Sequence, residues 1–566
     1  MEDQPPQQMP ASPPLVPVEA KPPEPKRPAR RWRRFKAWYA DHKEWSIPAT
    51  AVILLLIIAG VPWSRYHAAG LVLKKDFTVQ ISDSTANTPV SGALVSLGGS
   101  SGTTNGSGKV TLRSISVGSH TLVVTKKYYQ DRHASVLVPI LAQKTTPDIT
   151  FVATGRQVLI KVTNLINGQL LGGVQIAVAD TTAKTAADGT ATVVLPANAS
   201  SQKAQLSLDG YNDADVTVKI SGQKIEQNDF KLTPAGSVYF LSTRSGQLDV
   251  MKANLDGSGA KTVVAASGYE EEGNTVLSQS PDDKYVALVS KRTASDAQPQ
   301  LYVLAASDDQ LLQADSGNAI FTIYGWIGDS LIYTSQRQDL PAWQQGLNRL
   351  KSYDATTGKT TLLDQSAGSD ATADTNESYT LVMLTGNDVV YGKIWTSDSL
   401  VSVLDGRQSS LHVIGFDGQN HQQVATYPAA DNVQFVPHGA AAVYISDELP
   451  DLSSTSYYDY NVGGVPKVVS LTGSQLYDND LSYLFSPDGS KTFWSQPRDG
   501  KLALILGDST GANQKTIQNL SDYSAAGWYT DNYLLLSKNG SELYISDLKA
   551  GNPIKVTDFE PGTFAL

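Results

Sequence analysis

Cysteine is absent from all 566 residues, which excludes disulfides, thiolate metal sites, iron–sulfur clusters and cysteine nucleophiles. Stability must come from packed cores and hydrogen-bonded ladders. Histidine is scarce: His42, His67, His120, His133, His412, His421 and His438 are scattered, and none falls in the H-E-x-x-H spacing of a zinc hydrolase. Only one long apolar run occurs, Ile47 to Trp63, uncharged over 17 residues. Charge is unevenly placed: residues 1–64 hold nine Lys/Arg against six Asp/Glu, leaving 36 against 49 in residues 65–566. An acidic body lacks the cationic face that phosphate binding needs, which argues against a nucleic-acid partner. A large exported β-protein without disulfides fits a bacterium or archaeon better than the eukaryotic secretory route.

What is present points to β-structure. The 45 Gly and 25 Tyr favour many turns between short strands, and the length calls for three or four folded units. The apolar run is at the short end of what crosses a bilayer as a helix. Trp45 and Trp63 bracket it, and Arg27, Arg30, Arg31, Arg33, Arg34, Lys36 and Lys43 precede it, which predicts a single-pass membrane helix over 47–64 with a cytoplasmic N-terminus. Trp45, Trp63, Arg31, Arg33 and Arg34 are the expected interface anchors. A signal peptide cleaved near Ala68-Ala69-Gly70 is the alternative, but 46 residues before the run are long for a leader, and an uncleaved signal-anchor fits better. Residues 1–28 hold ten prolines, so 1–46 is expected as a disordered, Pro-rich and basic tail. Within it, Arg31 to Trp38 has the aromatic and basic pattern of a short amphipathic helix on anionic lipid. Residues 65–76 read as a connector.

Residues 77–153 alternate apolar and polar, as in Phe77-Thr-Val-Gln-Ile-Ser, and residues 154–234 repeat the plan. Gly92-Ala-Leu-Val-Ser-Leu97 matches Gly173-Val-Gln-Ile-Ala-Val178. Thr104 and Gly108 match Thr185 and Gly189 at an offset of 81 residues, and Tyr128 and Tyr211 close the corresponding strands. Such self-similarity marks tandem modules. The order G-x-x-V/I, then T-x-x-x-G, then a strand ending in Tyr resembles the carboxypeptidase-regulatory-like and PEGA-type families over roughly residues 77–233. The resemblance implies two tandem immunoglobulin-like β-sandwiches serving as a non-catalytic spacer.

From residue 235 to 566 groups of apolar strands recur about every 40 residues. Leu277-Ser-Gln-Ser-Pro-Asp-Asp-Lys-Tyr285 and Leu484-Phe-Ser-Pro-Asp-Gly-Ser-Lys491 read as strand, tight turn, strand. Gly325-Trp-Ile-Gly-Asp-Ser330 and Gly527-Trp-Tyr-Thr-Asp-Asn532 do the same without Pro-Asp. Four antiparallel strands per unit make a propeller blade. The S-P-D-G turn and the opening Ser237 to Gly257 resemble TolB-like and WD-repeat-like propellers. Units near 275–313, 319–364, 377–425, 432–475, 480–518 and 521–557, with an incomplete one at 237–264, give seven blades, six and eight being the neighbouring alternatives. Gly562 to Leu566 is expected to supply the strand missing from the incomplete unit.

Chemical motifs are weak. Gly98-Gly-Ser-Ser-Gly102 matches a nucleophile elbow in the wrong context, and Gly106-Ser-Gly-Lys109 lacks both the first glycine and the hydroxyl of a phosphate loop. The turns at Asp282-Asp283 and Asp488-Gly489 lack calcium-loop spacing. No cofactor or metal site is expected. His412, His421 and His438 share one propeller sector, and the TolB-like resemblance keeps a metal-dependent polysaccharide lyase as an alternative. The stretches Arg337 to Gln345 and Asp447 to Tyr460 read as long loops on a rigid scaffold, where binding residues gather. Arg337, Trp343, Tyr457, Tyr458 and Tyr460 are the expected contacts to a protein, peptide or glycan. The expected protein is a membrane-anchored, all-β recognition scaffold, with a transmembrane sensor as the third reading.

Overall fold

The computed structural model describes residues 30–60, 62–220, 226–292, 298–369, 375–397, 404, 406–438, 441–472, 475–476, 483–517, 522–549 and 552–563. Helices α1 (Arg30–Asp41), α2 (Lys43–Gly60) and α3 (Pro62–Gly70) come first, and the regular elements named after them are all strands. In α1 the rings of Phe35, Trp38 and Tyr39 recur at helical spacing, 6.1–6.2 Å apart. The tail expected as disordered over 1–46 is therefore helical from residue 30, where prolines stop; residues 1–29 lie outside the described residues.

Among the described residues no helix is long and apolar enough to cross a membrane. Within the run expected to cross as one helix, α2 extends to Gly60 and α3 starts at Pro62; residue 61 between them lies outside the described residues. The expected connector over 65–76 is corrected too: Tyr66 and Ala69 of α3 pack on the first module's core, and a strand begins at Lys74.

Two modules follow with one topology. In module 1 a three-stranded sheet (109–116, 74–83, 148–151) faces a four-stranded one (100–103, 94–97, 118–125, 132–138), and module 2 repeats both strand orders. Strand Arg156–Asn164 shows why: Val158, Ile160, Val162 and Asn164 alternate inward. The repeated Thr and Gly have matching roles. Thr104 Oγ1 donates to Val90 O (2.7 Å) and accepts from Ala93 N (2.9 Å); Thr185 does the same with Leu171 O (2.6 Å) and Val174 N (2.9 Å). Gly108 (φ 69°) and Gly189 (φ 70°) need the left-handed region. The tyrosine equivalent to Tyr211 is Tyr129 rather than Tyr128: Tyr129 bridges Ala153 as Tyr211 bridges Pro234, while the Tyr128 hydroxyl reaches Ala179 O of module 2 (3.2 Å).

The modules interlock. Lys126 Nζ donates to Thr182 O (2.8 Å) and to Ser91 O, Lys184 N donates to Ser91 Oγ (2.7 Å), and Lys127 pairs with Asp180 (2.8 Å). Burial lowers the Lys126 pKa to about 8. A Cβ on Gly92 would stand 2.5 Å from Thr182 O.

Among the described residues seven sheets make up the rest, one three-stranded (237–264) and six four-stranded (276–315, 319–365, 375–428, 432–469, 484–517, 523–558), here called blades 1 to 7. Apolar cores join blades 1 and 2, 2 and 3, 3 and 4, 4 and 5, and 6 and 7. Another, with Phe240, Tyr529, Leu543 and Phe559, packs 7 back on 1, so the last sheet meets the first; residues 473–474 and 477–482, between blades 5 and 6, lie outside the described residues. The Gly-Trp signals stitch blades: Trp326 Nε1 donates to Ser278 O (3.1 Å) and Trp528 Nε1 to Leu484 O (2.7 Å). The Ser-Pro-Asp signals are hairpin turns, with Ser280 Oγ on Asp282 (2.9 Å) and Ser486 Oγ on Asp488 (2.7 Å).

Three junctions share an ionic clasp. Asp309 of blade 2 holds Lys252 of blade 1 (2.5 Å), Asp315 of blade 2 holds Lys351 of blade 3 (2.6 Å), and Asp364 of blade 3 holds Lys393 of blade 4 (3.0 Å). A tyrosine hydroxyl donates to each carboxylate, from Tyr239, Tyr333 and Tyr379 in turn. Lys393 also meets Glu377 (2.8 Å). The C-terminal segment lies where the innermost strand of blade 1 would be, Glu560 N donating to Leu241 O (2.9 Å) and Leu277 N to Gly562 O (2.8 Å). No strand is assigned there; residues 564–566 lie outside the described residues.

Two outcomes follow for stability. Truncation after Asp558 removes Phe559 from the closing core, a loss of about 3–5 kcal/mol, and lowers the melting temperature in scanning calorimetry. Lys393→Met strands two mostly buried carboxylates and costs about 3–5 kcal/mol, measurable by urea unfolding; adding Asp364→Asn and Glu377→Gln recovers part of the loss.

Candidate recognition face of the propeller

Antiparallel pairing sorts the connections of each blade. Turns between first and second, and third and fourth, strands lie on one face of the ring; second-to-third and blade-to-blade connections lie on the other. Module 2 docks on the first face. Asn164 Nδ2 donates to Tyr533 OH in a blade 7 turn (2.8 Å), Thr233 Oγ1 donates to Asp256 in a blade 1 turn (2.7 Å), and Ile166 enters the closing core. The longer connections therefore occupy the face turned away from the stalk.

Arg337 and Trp343 belong to that far face. Arg337 ends strand Ser330–Arg337, and its guanidinium clasps Asp339 in its own loop (Nε to Oδ1 2.6 Å). Trp343 is 37% exposed, and its carbonyl accepts from Ser369 N (2.8 Å), tying the loop to the connection leaving blade 3. The expected loop over 447–460 is shorter than read: Thr455–Asn461 is the third strand of blade 5. This corrects Tyr460, which is 2% exposed in the core between blades 4 and 5 and cannot touch a partner. Tyr458 packs half-buried against Tyr427 (5.5 Å), and Tyr457 is half-buried on the same strand. The loop itself exposes Leu449 and Leu452. Of the expected interface anchors, Trp45 and Arg34 are exposed on α2 and α1; the side chains of Arg31, Arg33 and Trp63 are outside the described residues.

The far face has features that single residues did not announce. Arg407 covers the Trp395 ring at 4.1 Å. Glu270 accepts from the backbone N–H of Ser267 (2.8 Å) and Gly268 (3.0 Å) and from Arg292 (3.0 Å), bracing a cavity of about 550 Å³ that Thr243, Gln247, Leu248, Glu271 and Glu272 also line. The run Glu270-Glu-Glu272 was the visible signal for it. Asp447 lies beside Asp431 at the junction of blades 4 and 5; burial, then the Asp431 charge, pushes it up to about 6, and its buried Oδ1 has no hydrogen-bond partner among the described residues. No local pattern pairs 431 with 447.

The histidines divide. His412 Nδ1 meets His421 Nε2 (3.1 Å), and the His412 ring stacks on Tyr391 (5.0 Å between centroids). Burial lowers the His412 pKa to about 4, so it is neutral at pH 7. His438 stands apart, bonded to Asp459 (2.8 Å) and stacked on Tyr444. His421 and His438 are in or beside stalk-side turns, opposite Trp343. Among the described residues no group of three or more His, Asp and Glu could hold a metal.

Successive sheets, all but one four-stranded, with the last packed back on the first, make a β-propeller, and similar solved structures are propeller proteins of TolB-like and peptidase kinds. A prolyl endopeptidase is 15% identical, the match covering 64% of this chain and 47% of that one at a TM-score of 0.35. TolB from Acinetobacter baumannii is 14% identical over 56% of this chain and 75% of that one, TM-score 0.26. The propeller domain of the Trilobed protease from Pyrococcus furiosus is 14% identical over 58% and 91%, TM-score 0.34. This chain thus spans less than half of the prolyl endopeptidase chain. No protein-family model and no curated protein matches the sequence.

Asp447 gives a pH-dependent outcome. Its raised folded value means that the folded chain holds a proton the unfolded chain has lost, so the contribution present below pH 4 disappears as pH rises through about 6. Asp447→Asn should match the wild type at pH 4 and melt higher at pH 7.5, by about 2 °C once its partial exposure is allowed for.

Proposed function

We propose that this protein is a membrane-anchored, extracytoplasmic recognition scaffold whose propeller binds a protein, peptide or glycan partner on the face turned away from its stalk. The observation carrying this reading is the seat of module 2 on the opposite face, which leaves the longer loops unobstructed. Preformed loops lose little entropy on binding, and exposed Trp343, Tyr269, Leu449 and Leu452 supply anchors on the face that also carries the acidic cavity. The reading is of a binding protein rather than an enzyme.

Anchoring rests on the apolar run and the seven cations before it. Val52, Ile53, Leu54 and Leu56 of α2 are exposed, and a short apolar helix seats in a bilayer by thinning it locally. Modules 1 and 2 act as an interlocked spacer that holds the face clear of the membrane.

The test is the full chain, reconstituted and probed against glycan and protein arrays, with metal content assayed on the same sample. Saturable binding without metal, weakened about tenfold by Trp343→Ala and unaffected by His421→Ala, supports the reading. Stoichiometric metal with glycan turnover overturns it.

A further inference from the structure

The end of module 1 remote from module 2 is unlike the rest of the body. Module 2 grips the opposite end of module 1 through Ser91, Gly92 and Lys126 to Tyr128, at the close of strand Gly118–Thr125. At the start of that strand, Val117 N donates to Leu73 O (3.1 Å) and Ser119 pairs with Leu137. Here Leu71, Val72 and Leu141 are 87%, 83% and 75% exposed. Leu141 lines a cavity of about 500 Å³ between α3 and the segment 137–147, with Tyr66, Leu137 and Ile140 beside it and Arg65 and Lys144 among its walls. Gln143 clamps that segment to the first strand, accepting from Thr78 N (2.9 Å) and donating to Thr78 O (2.6 Å). The apolar surface is thus held in place rather than loose.

Charge and tether length say what covers it. Arg65, Lys74 and Lys144 are exposed around this end, although residues 65–566 are strongly acidic as a whole. Asp76, on the same edge, accepts from Ser114 N (3.1 Å). The tether has no slack: α3 packs on the module through Tyr66 and Ala69, and a Cβ on Gly70 would lie 2.6 Å from Val117 O. One residue separates α3 from α2. Nine residues of helix are about 13 Å long, so this surface stays within about that distance of the end of the apolar helix.

We propose that this end of module 1 is a foot that rests in the headgroup layer of an anionic phospholipid bilayer, Leu71, Val72 and Leu141 entering the interface and Arg65, Lys74 and Lys144 meeting lipid phosphates. The proposal rests on the anchored reading. A foot of this kind fixes the tilt of the stalk, which a single helix leaves free, and so sets the height of the recognition face. Each cation near an anionic surface adds to the attraction, which salt screens.

The absence of cysteine makes single-site labelling clean. The full chain, carrying Leu54→Cys, Leu141→Cys or Val468→Cys with a nitroxide, is placed in phosphatidylcholine nanodiscs with and without phosphatidylglycerol, and accessibility to oxygen and to an aqueous relaxant is read. The foot predicts hydrocarbon depth at 54, water at 468, and headgroup depth at 141 that is lost on adding Lys74→Glu and Lys144→Glu. A label at 141 as wet as that at 468, with 54 in hydrocarbon, overturns the foot and leaves the anchor standing. A label at 54 in water overturns the anchor, and the foot with it.

Discussion

One tyrosine joins stalk, ring closure and blade 2. The ring of Tyr529 lies in the core that closes blade 7 on blade 1, together with Ile166 of module 2. Its hydroxyl donates to Ala235 O (3.3 Å) and occupies the space a Cβ on Gly236 would need. It also meets Asp283, whose carboxyl burial pushes up to about 7 and which accepts from Gln279 (2.6 Å). Only glycine at 236 lets the linker pass this close, so module 2 enters against the ring rather than swinging from it.

Rigidity at that seat gives the rest its meaning. The stalk modules share backbone contacts and a buried lysine, and three blade junctions share a carboxylate held by lysine and tyrosine. Such clasps favour specificity of packing more than raw stability, because desolvation offsets much of the attraction. A face carried on this frame is presented in one orientation, which is what a recognition surface requires.

Much of the fold was legible in particular residues. The 81-residue repeat of Thr104 and Gly108 marks a buried hydroxyl and a left-handed turn in each module. Ser-Pro-Asp and Gly-Trp mark the inner hairpins, the tryptophan serving the preceding blade. The site was less legible. Tyr457, Tyr458 and Tyr460 looked like loop residues because Leu-Pro-Asp signals a turn, yet the turn ends by Ser454 and the tyrosines continue as strand.

By itself the sequence determined the β-architecture, the tandem repeat and a propeller of about seven units, because these are written in local periodicity and turn chemistry that neighbouring residues satisfy among themselves. Only the tertiary structure decided which face meets the stalk, that His421 and Trp343 lie on opposite sides, that Asp431 and Asp447 share a site, and that Leu71 and Leu141 share an end. Those placements come from ring closure and docking between residues far apart in the chain, as Asn164 with Tyr533, and no local pattern encodes them.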